Sequence, residues 1–262
     1  MYFQAFLQHL YPFGHGRKKL LRWLGRSGNR MTVARNLFGQ DLLLDRANFI
    51  DGQILQYGNF EHALISRFCE ELDRAKACVF LDIGANLGLY CLSMARLPGI
   101  KRVVAFEPDP RNFMQLAGNV FLNDLSARIE ARSEALSDKN GTATFYVNRG
   151  DQGFISAQSG FGNGGENFVP ISVVTARLDD LVDISGETVG VKIDVEGFES
   201  QVLDGMARIL AGNKILMQIE IFEENVQAVH AKLEGFGLKK ICRRTPTGHD
   251  YLYSNFAFSV GS

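Results

Sequence analysis

The chain has 262 residues, 46% of them hydrophobic and 22% charged, with a formal net charge of −1. That is enough apolar material to bury a full core as one domain, alone or with a small N-terminal addition, and the balanced charge argues against a general nucleic-acid binder. The four cysteines, Cys69, Cys78, Cys91 and Cys242, show no Cys-x-x-Cys spacing and fall in apolar stretches, so they read as small buried hydrophobes in a reducing compartment rather than as a disulfide framework or a zinc site.

Met1 to Leu10 carries no early positive charge and is followed by no small-residue cleavage site, which speaks against a signal peptide. No apolar run approaches the ~20 residues that span a bilayer, so a cytoplasmic location is expected. Residues 1–40 contain Arg17, Lys18, Lys19, Arg22, Arg26, Arg30 and Arg35 and no Asp or Glu. With Phe3, Phe6, Leu7, Leu10, Leu20, Leu21, Trp23 and Leu24 interleaved, this stretch predicts short amphipathic helices that rest on an anionic membrane surface or cover a substrate. The plainer alternative is a helical cap with a solvated basic face. Residues 1–54 are accordingly expected to form a basic helical cap, and 55–262 a single α/β domain.

Residues 41–60 carry scattered turn signals, and a helix from about Glu61 to Lys76 leads into the first core strand. From there strand and helix patterns alternate, with strands near 78–83, 101–107, 128–133, 189–194 and 214–220 and helices near 88–97, 110–122, 199–211 and 223–235. Such alternation predicts a doubly wound, mostly parallel sheet covered on both faces. Two strand-like runs, Leu238 to Arg244 and Tyr251 to Val260, flank a turn-rich segment and read as a closing antiparallel hairpin, making seven strands. Between the third and fourth core strands, Gly141 to Asn148 and Phe168 to Thr175 read as an inserted hairpin, 141–175. Its long Gly/Ser/Asn-rich loop is a candidate substrate lid containing Gln152, Phe154, Ser156 and Gln158, or else an idle linker.

The segment Val79 to Tyr90 reads as strand, glycine turn and helix start. Nineteen residues after Gly88, the run Val103-Val104-Ala105-Phe106 ends in Glu107. This is a nucleotide-binding half-fold, in which the turn lets a ligand approach backbone at a helix N-terminus and the acid accepts hydrogen bonds from ribose hydroxyls. A dinucleotide fingerprint needs Gly-x-Gly-x-x-Gly, whereas this turn has only Gly84-x-x-x-Gly88. Asp82 at the strand end would repel a pyrophosphate and suits a ligand with an ammonium and a sulfonium. S-adenosylmethionine is such a ligand. Asp82 and the Gly84 turn are expected to face its methionine part, with Asn86 near its carboxylate or ammonium, and Glu107 to chelate the ribose hydroxyls. The adenine pocket is expected from Pro108, Asp109, Asn123, Glu134 and Ala135, although Asn123 also reads as a helix C-cap.

These residues belong to a set that resembles the FkbM family of S-adenosylmethionine-dependent methyltransferases over roughly residues 55–258. The set runs through Tyr57-Gly58-x-x-Glu61, Phe80 to Tyr90, Phe106-Glu107-Pro108-Asp109-Pro110, Asn119 and Asn123, Glu134 to Asp138, and Thr175 to Asp180. Its most specific member is Val191-Lys192-Ile193-Asp194-Val195-Glu196-Gly197-Phe198-Glu199. The resemblance implies the class I methyltransferase fold, with the last strand inserted beside the fifth, and places Glu61 and Gly88 with the cofactor-binding residues. It also implies O-methylation of a hydroxyl on a sugar, glycolipid or secondary metabolite, so the acceptor partner is a small molecule or glycan.

Strand ends are where open α/β sheets bind ligands, which puts Asp194 and Glu196 beside the transferable methyl group. Asp194, Glu196 and Lys192 are the candidate catalytic residues, and Asp194 is also a candidate cofactor contact. Methyl transfer is an in-line displacement, so positioning matters, and an alcohol must also lose its proton, which Asp194 can accept. In the alternative, Asp194, Glu196 and Glu220 hold a divalent cation; the metal-free form is the one carried forward. His249 and His62 are spare bases or ordinary surface histidines. Two rival functions remain at this point: an NAD-dependent dehydrogenase, and a non-catalytic membrane-surface or scaffold protein.

Overall fold

The computed structural model describes residues 30–148, 160–161, 168–244 and 248–259. The basic stretch 1–29 and the lid residues Gln152, Phe154, Ser156 and Gln158 lie outside the described residues. The chain begins with a hairpin, β1 (Met31–Arg35) against β2 (Asp41–Asp45), followed by α1 (Phe49–Tyr57). Within the described residues 30–54 this hairpin stands where a helical cap over 1–54 was expected. Strands of five residues give a short alternation that is easily missed: in β2, Leu42 and Leu44 point inward and are fully buried. α1 starts where the Asn48 side chain accepts from the N–H groups of Ile50 and Asp51, and ends at Gly58, which takes the left-handed conformation at φ 81°.

The core follows as α2 (His62–Ala75), β3 (Val79–Ile83), α3 (Leu89–Met94), β4 (Arg102–Phe106), α4 (Pro110–Leu122) and β5 (Ile129–Arg132). A small sheet interrupts it, made of β6 (Ala135–Leu136), β7 (Gly141–Asn148) and β8 (Phe168–Ala176), with β7 and β8 antiparallel along their whole lengths. The chain then returns through α5 (Leu178–Leu181), β9 (Thr188–Ile193), α6 (Glu199–Gly205), α7 (Ala207–Gly212) and β10 (Lys214–Glu220). It closes with α8 (Val226–Gly235), β11 (Lys239–Arg243) and β12 (Asp250–Ser254). The helix expected over 199–211 is thus two, broken at Met206, where φ is −122°.

The seven strands of the main sheet lie in the order β11-β12-β10-β9-β3-β4-β5. All neighbours are parallel except β12, which runs antiparallel to β10 and to β11. Alternate residues feed two apolar layers: Phe80, Val103 and Ala105 face α2, α3 and α4, while Leu81, Val104 and Phe106 face α6, α7 and α8. Burial on both faces explains why the central strands read as unbroken apolar runs. The order reverses between β3 and β9, and their backbones are tied there by Asp194 N–H donating to the Ile83 carbonyl at 2.9 Å. The carboxyl ends of β3, β4, β9 and β10 therefore open into one crevice.

Candidate active site

That crevice is a cleft of about 400 Å³, within the range of small-molecule sites. Of the residues singled out in the sequence, Glu61, Asp82, Gly84, Asn86, Glu107, Pro108, Glu134, Ala135, Lys192, Asp194 and Glu196 line it. Gly88 and Asn123 do not. Gly88 caps α3, and a Cβ there would lie 2.8 Å from Leu116, so its smallness serves packing. Asn123 clamps the N-terminal hairpin instead: its side chain accepts from Asp41 N–H at 3.1 Å and donates to the Asp41 carbonyl at 2.8 Å. Asp109 is spent as the N-cap of α4, its side chain accepting from Arg111 N–H at 2.9 Å.

Gly84 adopts φ 82°, and a Cβ on it would sit 1.8 Å from the Asp194 carbonyl oxygen. Only glycine lets β3 and β9 approach this closely at the mouth of the cleft. Beside it, Asp82 accepts from Cys91 N–H at 2.8 Å, and burial pushes its carboxyl up to about 7 against the pull of that bond and of Lys192. Glu107 accepts from the N–H groups of Asn86 at 2.8 Å and Asp109 at 2.9 Å, and burial pushes it up to about 8. A carboxylate has about four acceptor positions. The two that remain on Glu107 match a vicinal diol.

Next to Asp82, as its register partner on β9, stands Lys192, which is buried between Asp250 at 3.1 Å and Asp194 at 3.7 Å, with its ammonium 5.3 Å from the Tyr90 ring centre. Burial works against its charge, yet the two carboxylates hold the ammonium well above its ordinary range. The Tyr90 hydroxyl donates to Glu61 at 3.1 Å and accepts from the Gln218 amide at 3.0 Å, and the same amide reaches Asp250 at 3.0 Å. Glu196 sits at φ 52°, ahead of Gly197 at φ 97°, in a tight turn, and burial, then Asp194, push its carboxyl up to about 7. Among the described residues, no three His, Cys, Asp or Glu side chains converge as a metal site. His62 stacks on Phe38 at 4.5 Å and His249 lies 5.6 Å from Phe222; neither lines the cleft.

Several lining residues escaped the sequence reading. Phe49 and Ile50 come from α1, Phe60 from the turn before α2, and Phe145 and Phe161 from the inserted sheet. Phe161 stacks on Phe198 at 4.2 Å and meets Phe145 edge-on at 5.3 Å, giving the cleft an aromatic wall beside Glu196. The strand alternation in Gly141 to Asn148 was the available signal for Phe145; for Phe161 there was none. An acidic lining with one buried lysine, a spare pair of acceptor positions on Glu107 and an open glycine turn fit a donor that carries a positive charge and a diol.

A seven-stranded sheet with this order, opened at its reversal by such a cleft, is the class I methyltransferase fold. A family model described as "Methyltransferase FkbM domain" matches residues 82–239. The chain belongs to the FkbM methyltransferase family. It is 31% identical over 151 residues to the 2-O-methyltransferase NoeI of Sinorhizobium fredii, a match covering 53% of this chain and 61% of that protein. It is 27% identical over 261 residues to the 31-O-demethyl-FK506 methyltransferase FkbM of Streptomyces tacrolimicus, covering 84% of this chain and 90% of that protein. The chain spans about three fifths of the length of two curated relatives it matches, NoeI among them. Among solved structures, a tRNA (uracil-54, C5)-methyltransferase of Pyrococcus abyssi aligns with a TM-score of 0.47 and 16% identity, over 87% of this chain and 44% of that one.

Proposed function

We propose that the protein methylates a hydroxyl group of a sugar, glycolipid or secondary metabolite, with Asp194 receiving the hydroxyl proton. S-adenosylmethionine supplies the electrophilic methyl group on its sulfonium. The observation that carries the reading is the placement of Asp194: it lies at the reversal of strand order, at the end of the strand next to that of Asp82, and is held by Lys192. Asp82 and the Gly84–Asn86 turn bind the amino-acid end, Glu107 orients the ribose, and Pro108, Glu134 and Ala135 border the base. Glu61 fixes Tyr90, which packs over Lys192. Lys192 orients Asp194 beside Glu196. The aromatic wall excludes water from the space where the acceptor oxygen must approach. The names of the two relatives, both O-methyltransferases by position or substrate, support a hydroxyl acceptor.

Calorimetric titration with S-adenosylhomocysteine and with NAD tests the donor assignment. The first is expected to bind and the second not. Asp82→Ala and Glu107→Ala are each expected to weaken binding by about 1–3 kcal/mol through loss of charge-assisted contacts. Transfer of labelled methyl to a panel of neutral glycans and macrolide alcohols tests the acceptor class, and Asp194→Asn is expected to abolish it while sparing donor affinity. Normal transfer by that variant would place the base elsewhere. Among the described residues no helix is long and apolar enough to cross a membrane. Contact of residues 1–40 with an anionic surface rests on their sequence charge alone, and salt-sensitive binding to anionic vesicles is its test.

A further inference from the structure

Three carboxylates follow one another in a row on one face of the sheet at the ends of three adjacent strands. Ile193 and Ile219 are register partners in the parallel pair β9–β10, so Asp194 and Glu220 follow side by side. Glu220 is also the cross-strand partner of Asp250 in the antiparallel pair β10–β12. The cation inside this row is Lys192, which is already shared between Asp250 and Asp194. The next cation, Arg244, is committed to Glu71 at 2.8 Å. The other ionisable groups facing the row are Glu61 from the head of α2, Tyr90 from α3, Glu196 from the turn after β9, and Asp82 and Glu107 from β3 and β4. Glu220 lines the cleft and, among the described residues, forms no ion pair. Burial, and then the charge of the neighbouring Asp194 carboxylate, push the Glu220 carboxyl far above the usual carboxylate range. Two carboxyl groups placed side by side away from bulk water repel each other when both are ionised, and one proton held between them relieves that repulsion.

We propose that Glu220 is the second catalytic carboxylate: it shares one proton with Asp194 in the free protein, and binding of a sulfonium donor expels that proton, so that the pair becomes a base only when the methyl donor is present. This rests on the donor and acceptor reading given above. The balance closes over one turnover. The pair takes the acceptor's O–H proton as an oxygen lone pair forms the O–CH3 bond and the electron pair of the C–S bond stays on sulfur. The positive charge beside the pair is then gone, and the pair is again singly protonated. Exchange of the neutral thioether for the next sulfonium releases that proton to water. One proton thus leaves per methyl transferred, as the overall reaction requires.

S-adenosylmethionine and S-adenosylhomocysteine differ by one methyl and one positive charge, which makes the test independent of the acceptor. Both are titrated into the full chain by calorimetry at pH 7.5 in phosphate and in Tris, whose ionisation enthalpies differ, to count the protons released. Protons leaving Glu107, at the ribose common to both ligands, cancel in the difference, and an excess drawn from Asp82 or Glu196 would persist in Glu220→Gln. The wild type is expected to release about one proton more with the sulfonium than with the thioether. Glu220→Gln and, independently, Asp194→Asn are expected to remove that excess while both ligands still bind. Equal release from the wild type overturns the proposal and leaves the donor assignment standing; an undiminished excess in Glu220→Gln removes Glu220 from the pair. Failure of both ligands to bind the wild type removes the donor assignment, and this proposal with it.

Discussion

Glu107 makes the stability of the free protein depend on pH in a direction opposite to that of an ordinary ion-paired carboxylate. Its carboxyl is raised from 4.5 to about 8 by burial, against the pull of two backbone N–H donors. Between those values the folded chain holds more protons than the unfolded one, so the contribution is fully present below about pH 4.5 and is lost as pH rises through about 8. Each tenfold step in proton affinity is worth about 1.4 kcal/mol, which sets a ceiling of about 5 kcal/mol on the loss. Glu107→Gln removes the titration. It also turns an amide NH2 toward one of the two backbone donors, a fixed cost of about 1–3 kcal/mol from the unpaired group. The variant is therefore expected to be less stable than the wild type at pH 5.5, with the gap closing or reversing by pH 8.5. Urea unfolding followed by far-UV circular dichroism at pH 5.5, 7 and 8.5 reads this directly. A gap that stays constant or widens with pH would refute the reasoning, because it would mean that Glu107 is ionised throughout.

Three other perturbations separate structural from functional roles. Gly84→Ala drives a Cβ to 1.8 Å from a backbone oxygen at φ 82°, and is expected to cost about 3 kcal/mol or more in urea unfolding; wild-type stability would mean that β3 and β9 can separate. Asn123→Ala loses its pair of bonds to Asp41 and is expected to cost about 1–3 kcal/mol of stability while leaving S-adenosylhomocysteine affinity unchanged in calorimetry. Weakened binding would return Asn123 to the cofactor site. Glu71→Gln strands the fully buried Arg244 and is expected to cost about 3–5 kcal/mol, with most of it recovered in the double variant Glu71→Leu, Arg244→Met. A double variant no more stable than the single one would show that the pair does more than satisfy itself.

The central sheet was legible because its strands are buried on both faces and bounded by helices with clear caps, such as Asp109-Pro110 at the head of α4. The N-terminal hairpin was not. Its strands are five residues each, and basic side chains at Arg30 and Arg35 fit a helix face as well as a strand edge. What settles it is tertiary: Asn119 accepts from Leu43 N–H at 2.6 Å and Gln115 donates to the Leu43 carbonyl at 2.7 Å, so α4 supplies partners for a strand more than 70 residues earlier. Asn119 and Asn123 look like ligand contacts in the sequence for the same reason that they make good clamps. An amide offers both a donor and an acceptor to whatever backbone faces it.

The acidic lip of the cleft shows the same division between local and distant information. Asp82 and Glu107 each end a strand, and a strand end in this fold faces ligand, so a one-dimensional reading reaches them. Asp194 and Lys192 are two apart and must share a face of β9, which predicts contact between them but not what else Lys192 meets. Its second partner is Asp250, 58 residues away, which arrives only because β12 runs antiparallel beside β10 and brings Asp250 opposite Glu220. Had β12 been shifted by one residue, Asp250 would point to the other face and Lys192 would be left with Asp194 as its ion-pair partner. The charge balance around Lys192 is therefore a consequence of the register of the last strand, and the closing hairpin, distant in sequence from the glycines and acids that mark the donor site, tunes the chemistry of the cleft.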